Sequence, residues 1–134
     1  MGATDFEVLE ANEAFYRAFA ERDVAAMGRL WAEHHPVTCV HPGWDVLAGR
    51  ESILASWRGI LESGNAPAIS WSLAEAHLVG EVALVTCHEI LPGGRLATTN
   101  VFAREGGAWR MVHHQATPIA PGQERPRLDR TQTN

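Results

Sequence analysis

The stretch VALVTCHEILPGGRLATTNVFAREGGAWRMVHHQAT, residues 82–117, decides the fold. Its apolar and polar residues alternate with a period of two, and only Pro92-Gly93-Gly94 and Gly106-Gly107 interrupt the run. Breakers this short join neighbouring strands, so the spacing predicts antiparallel strands over 82–91, 95–105 and 108–117, with another at 68–78 before Gly80. Alternation puts Cys87 and Glu89 on one face of their strand, Thr98, Asn100 and Phe102 on one face of the next, and His113 and Gln115 on one face of the last. Polar side chains at strand centres line either a buried site, where each needs a partner, or a solvated or subunit-facing surface.

Upstream of Pro67 the period is helical. Residues 4–22 read as a helix, with Thr4 and Glu7 spaced as a capping box and Val8, Leu9, Phe15, Tyr16 and Phe19 on one face. Asp23 can cap a second helix running to about His34, where Pro36 stops it. Residues 37–41 make a short strand, and a third helix follows Gly49, carrying Ile53, Leu54, Trp57, Ile60 and Leu61. Both the helix faces and one sheet face must be buried. The predicted fold is therefore α+β: three N-terminal helices packed on a strongly curved, mainly antiparallel sheet that forms a cone. Residues 1–117 make one domain; Pro118, Pro121 and Pro126 mark 118–134 as a loosely ordered tail.

Composition narrows the function. The chain has 134 residues, 46% hydrophobic and 20% charged, which suits one globular domain. A net charge of -5 without a basic stripe argues against nucleic acid as a partner. No apolar run reaches the ~20 residues that cross a bilayer, and the N-terminus carries acids where a signal peptide needs bases, so no membrane partner and a cytoplasmic location are expected. Cys39 and Cys87 lack the spacing of a redox pair or disulfide scaffold and read as buried free thiols. The seven His show no HxxxH, HxH or HExxH pattern, so neither a metal nor any other cofactor is expected.

A cone closed by helices leaves an interior space, and the Trp residues either fill it or wall a pocket for a small apolar molecule. Trp31, Trp44 and Trp57 flank the short strand that ends at His41. In the turn His41-Pro42-Gly43-Trp44 the imidazole is either a core or rim His bonded to backbone, or a general base whose ordinary pKa of ~6.5 suits proton transfer. Asn100 can donate to an oxygen that gains charge during reaction. Its amide and the His41 ring are expected to look into one hollow. Tyr16, Glu89, Phe102, His113 and Gln115 complete the expected substrate-binding set; a register slip would exchange His113 for His114.

The segments Asn12-Glu13-Ala14-Phe15-Tyr16-Arg17-Ala18-Phe19, Arg22-Asp23, Leu30-Trp31, His41-Pro42, Gly49-Arg50-Glu51-Ser52-Ile53 and Trp109-Arg110-Met111-Val112-His113-His114 together resemble the nuclear transport factor 2-like (NTF2-like, cystatin-like) superfamily, in particular its SnoaL-like branch. The resemblance covers nearly all of residues 5–117. It implies a conical pocket and a homodimer formed through the sheet, but no single activity. Beside the ketosteroid isomerase branch, His41 falls where the general-base carboxylate stands and Asn100 where the acidic oxyanion donor stands. Phe15 falls near the catalytic tyrosine, with Tyr16 adjacent, a departure that separates this chain from steroid isomerisation. The closing Trp-x-x-Val-His pattern is similar to the association domain of calcium/calmodulin-dependent kinases, an oligomerisation module. Two expectations follow: a cofactor-free isomerase, cyclase or dehydratase acting on an apolar carbonyl compound, or a non-catalytic ligand-binding or dimerisation module.

Overall fold

A computed structural model describes residues 2–124. Helix α1 spans Ala3–Ala20; it begins ahead of Thr4, so Thr4 does not cap it, and Asp5 Oδ2 instead accepts from the Gly2 N–H at 3.3 Å. Val8, Asn12, Phe15, Tyr16 and Phe19 form its buried face. Helix α2 spans Val24–Leu30 and is capped as expected, with Asp23 Oδ1 accepting from the Ala26 N–H at 3.0 Å.

That helix ends short of the expected His34 for a tertiary reason. Trp31 adopts extended backbone and bridges to Met111, whose carbonyl accepts from the Ala32 N–H at 3.0 Å. The released carbonyls of Gly28, Trp31 and Ala32 accept from the Arg50 guanidinium at 2.9, 2.7 and 3.3 Å. Arg50 opens α3 (Arg50–Glu62) and so ties two helices together.

Strands β1 (Thr38–Val40), β2 (Leu47–Ala48), β3 (Ser70–Val79), β4 (Val82–Leu91), β5 (Gly94–Glu105) and β6 (Ala108–Pro118) form one sheet in the order β2-β1-β6-β5-β4-β3. The two-residue β2 lies beyond the expected set, and β1 runs parallel to β6 while every other pair is antiparallel. Gly106 and Gly107, both at positive φ, make the tight β5–β6 turn that only such residues permit without strain.

Two bulges bend the sheet. Leu73, at φ 58, marks one in β3, where the register shifts between Ser72 and Glu75. On β6, Val101 pairs with His113 and Phe102 with Met111, leaving Val112 as an extra residue. The extra residue reverses the faces of everything after it: Met111, His114 and Ala116 are buried, and Gln115 is exposed.

The helices cover one sheet face around a core containing Phe15, Met27, Trp31, Ile53, Phe102 and Met111. Both cysteines are free and buried. Of the expected tail, Pro118 closes β6 and the Ile119 N–H still donates to the Arg95 carbonyl at 3.0 Å; residues 125–134 lie outside the described residues. Among the described residues no helix is long and apolar enough to cross a membrane.

Candidate functional site

A cavity of about 300 Å³ opens between α1, α3 and the concave face of the sheet. Phe15, Phe19, Trp57 and Leu96 wall it, while Pro42, Trp44, Pro67 and Ile69 form an apolar rim. Among the described residues, four side chains with titratable groups line it: His41, His114, Glu89 and Tyr16. Its volume is at the small end of the range for ligand sites.

His41 follows β1 directly. Its carbonyl accepts from the Trp44 N–H at 2.9 Å across Pro42 and Gly43, a turn whose third residue needs the positive φ of Gly43 (82°). The ring stands edge-on to Trp44 and Trp57, with centroids 4.8 and 4.7 Å away. Nε2 is 2.9 Å from Ser56 Oγ, whose single hydrogen is donated to the Ile53 carbonyl at 2.7 Å. Ser56 therefore accepts and Nε2 carries the ring hydrogen, with Cys39 Sγ 3.8 Å from the same nitrogen, while Nδ1 keeps a lone pair with no partner among the described residues. Burial lowers the pKa to about 4, so the ring is neutral near pH 7.

Glu89 is 3% exposed, and its Oε2 accepts from the Tyr16 hydroxyl at 2.6 Å. Burial raises the carboxyl pKa, opposed by that hydrogen bond, so the acid keeps its proton further up the pH scale than an exposed glutamic acid. Burial also raises the Tyr16 pKa, with Glu89 adding to the effect, and the phenol stays a phenol.

Behind this wall the polar groups form a directed chain. Because the only hydroxyl hydrogen of Tyr16 goes to Glu89, its oxygen accepts from Asn100 Nδ2 at 3.3 Å. Asn100 Nδ2 also donates to Asn12 Oδ1 at 2.8 Å. With the amide so oriented, Asn100 Oδ1 accepts from His114 Nδ1 at 2.6 Å, while Asn12 Nδ2 is left without a partner among the described residues. Burial, then the neighbouring His41 and His113, lowers the His114 pKa to about 3. Its Nε2 is left as a second imidazole lone pair, also without a partner among the described residues.

The structure brings His41, Tyr16, Trp44, Trp57 and Glu89 together around the cavity. It does not bring Asn100 there. Asn100 is fully buried and meets the cavity only through Tyr16 and His114, so the expected oxyanion role is corrected: its amide is already spent within the protein. Trp31 is core filler at 1% exposure, because the chain turns away from α2 there, and Phe102 packs in the same core. The β6 bulge turns His113 away from the cavity, where it bonds Thr38 Oγ1 at 2.7 Å, and leaves Gln115 in an outer groove with Glu75, Thr86 and Thr99.

Ser56 and Asn12 were not expected at the site, and His114 was expected only as the register alternative to His113. Ser56 is three residues after Ile53 on α3, and Asn12 is a polar interruption between Val8 and Tyr16 on an otherwise apolar helix face; both were readable as helix-face anomalies. Among the described residues no three His, Cys, Asp or Glu side chains converge as a metal ligand set.

A family model described as a SnoaL-like domain matches residues 8–121. The crystal structure of a proposed dehydratase from the NTF2-like family of Streptomyces avermitilis is 32% identical, with a TM-score of 0.79, covering 87% of this chain and 96% of that one. A proposed calcium/calmodulin-dependent protein kinase type II association domain from Thiobacillus denitrificans is 29% identical, with a TM-score of 0.72, covering 81% and 92%. The F-box protein SKIP8 of Arabidopsis thaliana is 27% identical over 117 residues, 86% of this chain. The chain spans about half of that relative's length, 51%.

Proposed function

The chain belongs to the SnoaL-like domain family, and on that premise we propose that it is a proton-transfer catalyst, a dehydratase or isomerase, acting on a small uncharged carbonyl compound in the aromatic cavity. The observation that carries this reading is an unpartnered imidazole nitrogen and a buried Glu89 side chain lining one apolar space, where burial favours the neutral form of both. The similarity to a proposed dehydratase supports the dehydration branch.

The reaction needs only these two groups. His41 Nδ1 takes the α-proton while the C–H pair moves into a new C=C bond, and the Glu89 carboxyl gives its proton to the carbonyl oxygen, producing a neutral enol. In dehydration the enol hydrogen returns to Glu89 as the carbonyl re-forms. The β-C–O bond breaks, and the hydroxyl leaves as water with the proton held on His41. Both groups end as they began. In isomerisation His41 returns the proton to a different carbon. Ser56 is a positioning residue: by accepting from Nε2 it keeps the Nδ1 lone pair in the cavity.

Exchange of α-protons of 2-indanone in deuterated water, followed by NMR, tests the abstraction step without knowledge of the natural substrate. The wild type is expected to exceed the buffer rate. His41→Phe should abolish the excess, and Glu89→Gln, which keeps a donor but not a transferable proton, should lower it by ~10²–10³. A wild type that quenches Trp fluorescence on binding the ketone yet leaves exchange at the buffer rate would overturn the enzyme reading in favour of a binding module.

A further inference from the structure

The abstraction chemistry uses one imidazole, yet the cavity presents two. His114 is 2% exposed, its ring centroid is 6.4 Å from that of His41, and both rings pack against Trp57. Nothing in the proton transfer requires it. With the amides as oriented, its surroundings assign its tautomer through three successive donations that run in one sense: His114 Nδ1 to Asn100, Asn100 to Tyr16, and Tyr16 to Glu89. Asn12 braces the same amide from the helix side.

We infer that His114 Nε2 is a hydroxyl-recognition subsite, so that the ligand class is an uncharged carbonyl compound bearing a separate hydroxyl group that donates to this nitrogen. The inference rests on the cavity being the substrate site. Three features support it. The lone pair is an acceptor in an apolar space, and an acceptor left without a donor there is costly. The Nδ1–H bond to an amide oxygen, which cannot donate, excludes the tautomer that would present an N–H instead. Among the described residues no Lys or Arg lines the cavity to balance a negative ligand, so the complementary group is a neutral donor.

The selectivity is that of a site built to hold a hydroxyl: a methyl ether offers the same outline but no hydrogen, and leaves the imidazole unsatisfied. Asn100 and Asn12 act as positioning residues in this scheme. They touch no ligand and set which nitrogen of His114 meets it.

The test compares 3-hydroxyacetophenone, 3-methoxyacetophenone and acetophenone by quenching of the cavity tryptophans. None has a β-hydroxyl to lose, so binding is read without turnover. The hydroxyl compound is expected to bind about tenfold tighter or better. His114→Phe, whose ring takes the imidazole's place beside Phe15 and Trp57, should bind all three alike. Long-range ¹H–¹⁵N NMR on the wild type should find the His114 hydrogen on Nδ1, a readout that needs no variant to fold. Equal binding of hydroxyl and methoxy compounds, a preference that survives His114→Phe, or a hydrogen on Nε2 would overturn the subsite. A hydroxyl preference without α-proton exchange would sink the catalytic reading and leave the subsite standing; exchange without the preference would do the reverse.

Discussion

Replacing Asn100 by Leu tests whether the buried chain behind the cavity is as directed as its geometry implies. The variant keeps nearly the same volume and deletes three contacts: 2.6 Å from His114 Nδ1, 2.8 Å to Asn12 Oδ1 and 3.3 Å to the Tyr16 oxygen. Tyr16 still donates to Glu89, so two atoms are left without partners, His114 Nδ1–H and Asn12 Oδ1. Each orphaned buried polar atom costs about 1–3 kcal/mol, giving a loss of about 2–6 kcal/mol against a total of ~5–15 for a domain of this size. With a urea m-value of about 2 kcal/mol/M, the unfolding midpoint should drop by about 1–3 M. Adding His114→Phe removes both ends of the shortest bond. The double variant should therefore be more stable, by about 1–2 kcal/mol, than the sum of the single losses predicts. The ¹⁵N shifts of His114 should in addition lose their fixed Nδ1–H signature in Asn100→Leu, which a packing defect alone would not cause. A single variant within about 0.5 kcal/mol of the wild type, or strict additivity in the cycle, would refute the network.

Two further outcomes follow from the same kind of accounting. Arg50→Leu strips the guanidinium from the carbonyls of Gly28, Trp31 and Ala32 and should lower stability by about 1.5–3 kcal/mol in thermal or urea unfolding, while Arg58→Leu, whose ion pair with Glu62 is solvent-exposed, should change it by less than about 1 kcal/mol. Acid should unfold the protein early. The folded pKa values of His41 and His114, about 4 and about 3, lie below the ordinary 6.5, so the unfolded chain binds protons first as pH falls. Stability is full above pH 6.5 and declines toward pH 3–4 by on the order of 3 kcal/mol per ring, and His114→Phe should flatten that slope in pH-dependent urea titrations.

The architecture was legible because period-two alternation survives intact through β4 and β5, and Gly106-Gly107 dictates its own turn. Glu89, and the inward side of Asn100, come directly from that alternation. Alternation cannot show where an inward side chain stops, so the sequence could not separate a residue that reaches the cavity from one consumed behind it; Asn12, from another element, decides that for Asn100. His113 and His114 changed places because Val112 is an extra residue on β6, and a bulge at a β-branched residue without glycine leaves no mark in the hydrophobic pattern. The Trp residues divided for a similar reason. Trp57 is held on α3 by helical spacing, whereas the place of Trp31 depends on Arg50 ending α2 from a distant segment.

The neutrality of the cavity ties these observations to chemistry. Burial pushes the two imidazoles down and the carboxyl up, so one physical cause brings the proton affinity of the base and the acid toward each other. A surface pair of the same residues would form an ion pair, with the proton already on histidine and the carboxylate unable to give one. Here burial favours the uncharged form of each group, and the imidazolium and carboxylate formed during transfer are both disfavoured by that same medium. That bias makes the return of both protons the favourable direction, which suits a cycle that must restore acid and base without help from solvent. It also means that opening the cavity should harm catalysis more than binding: Trp57→Ala, by admitting water, would restore ordinary pKa values before it removed the walls that hold an aromatic ketone.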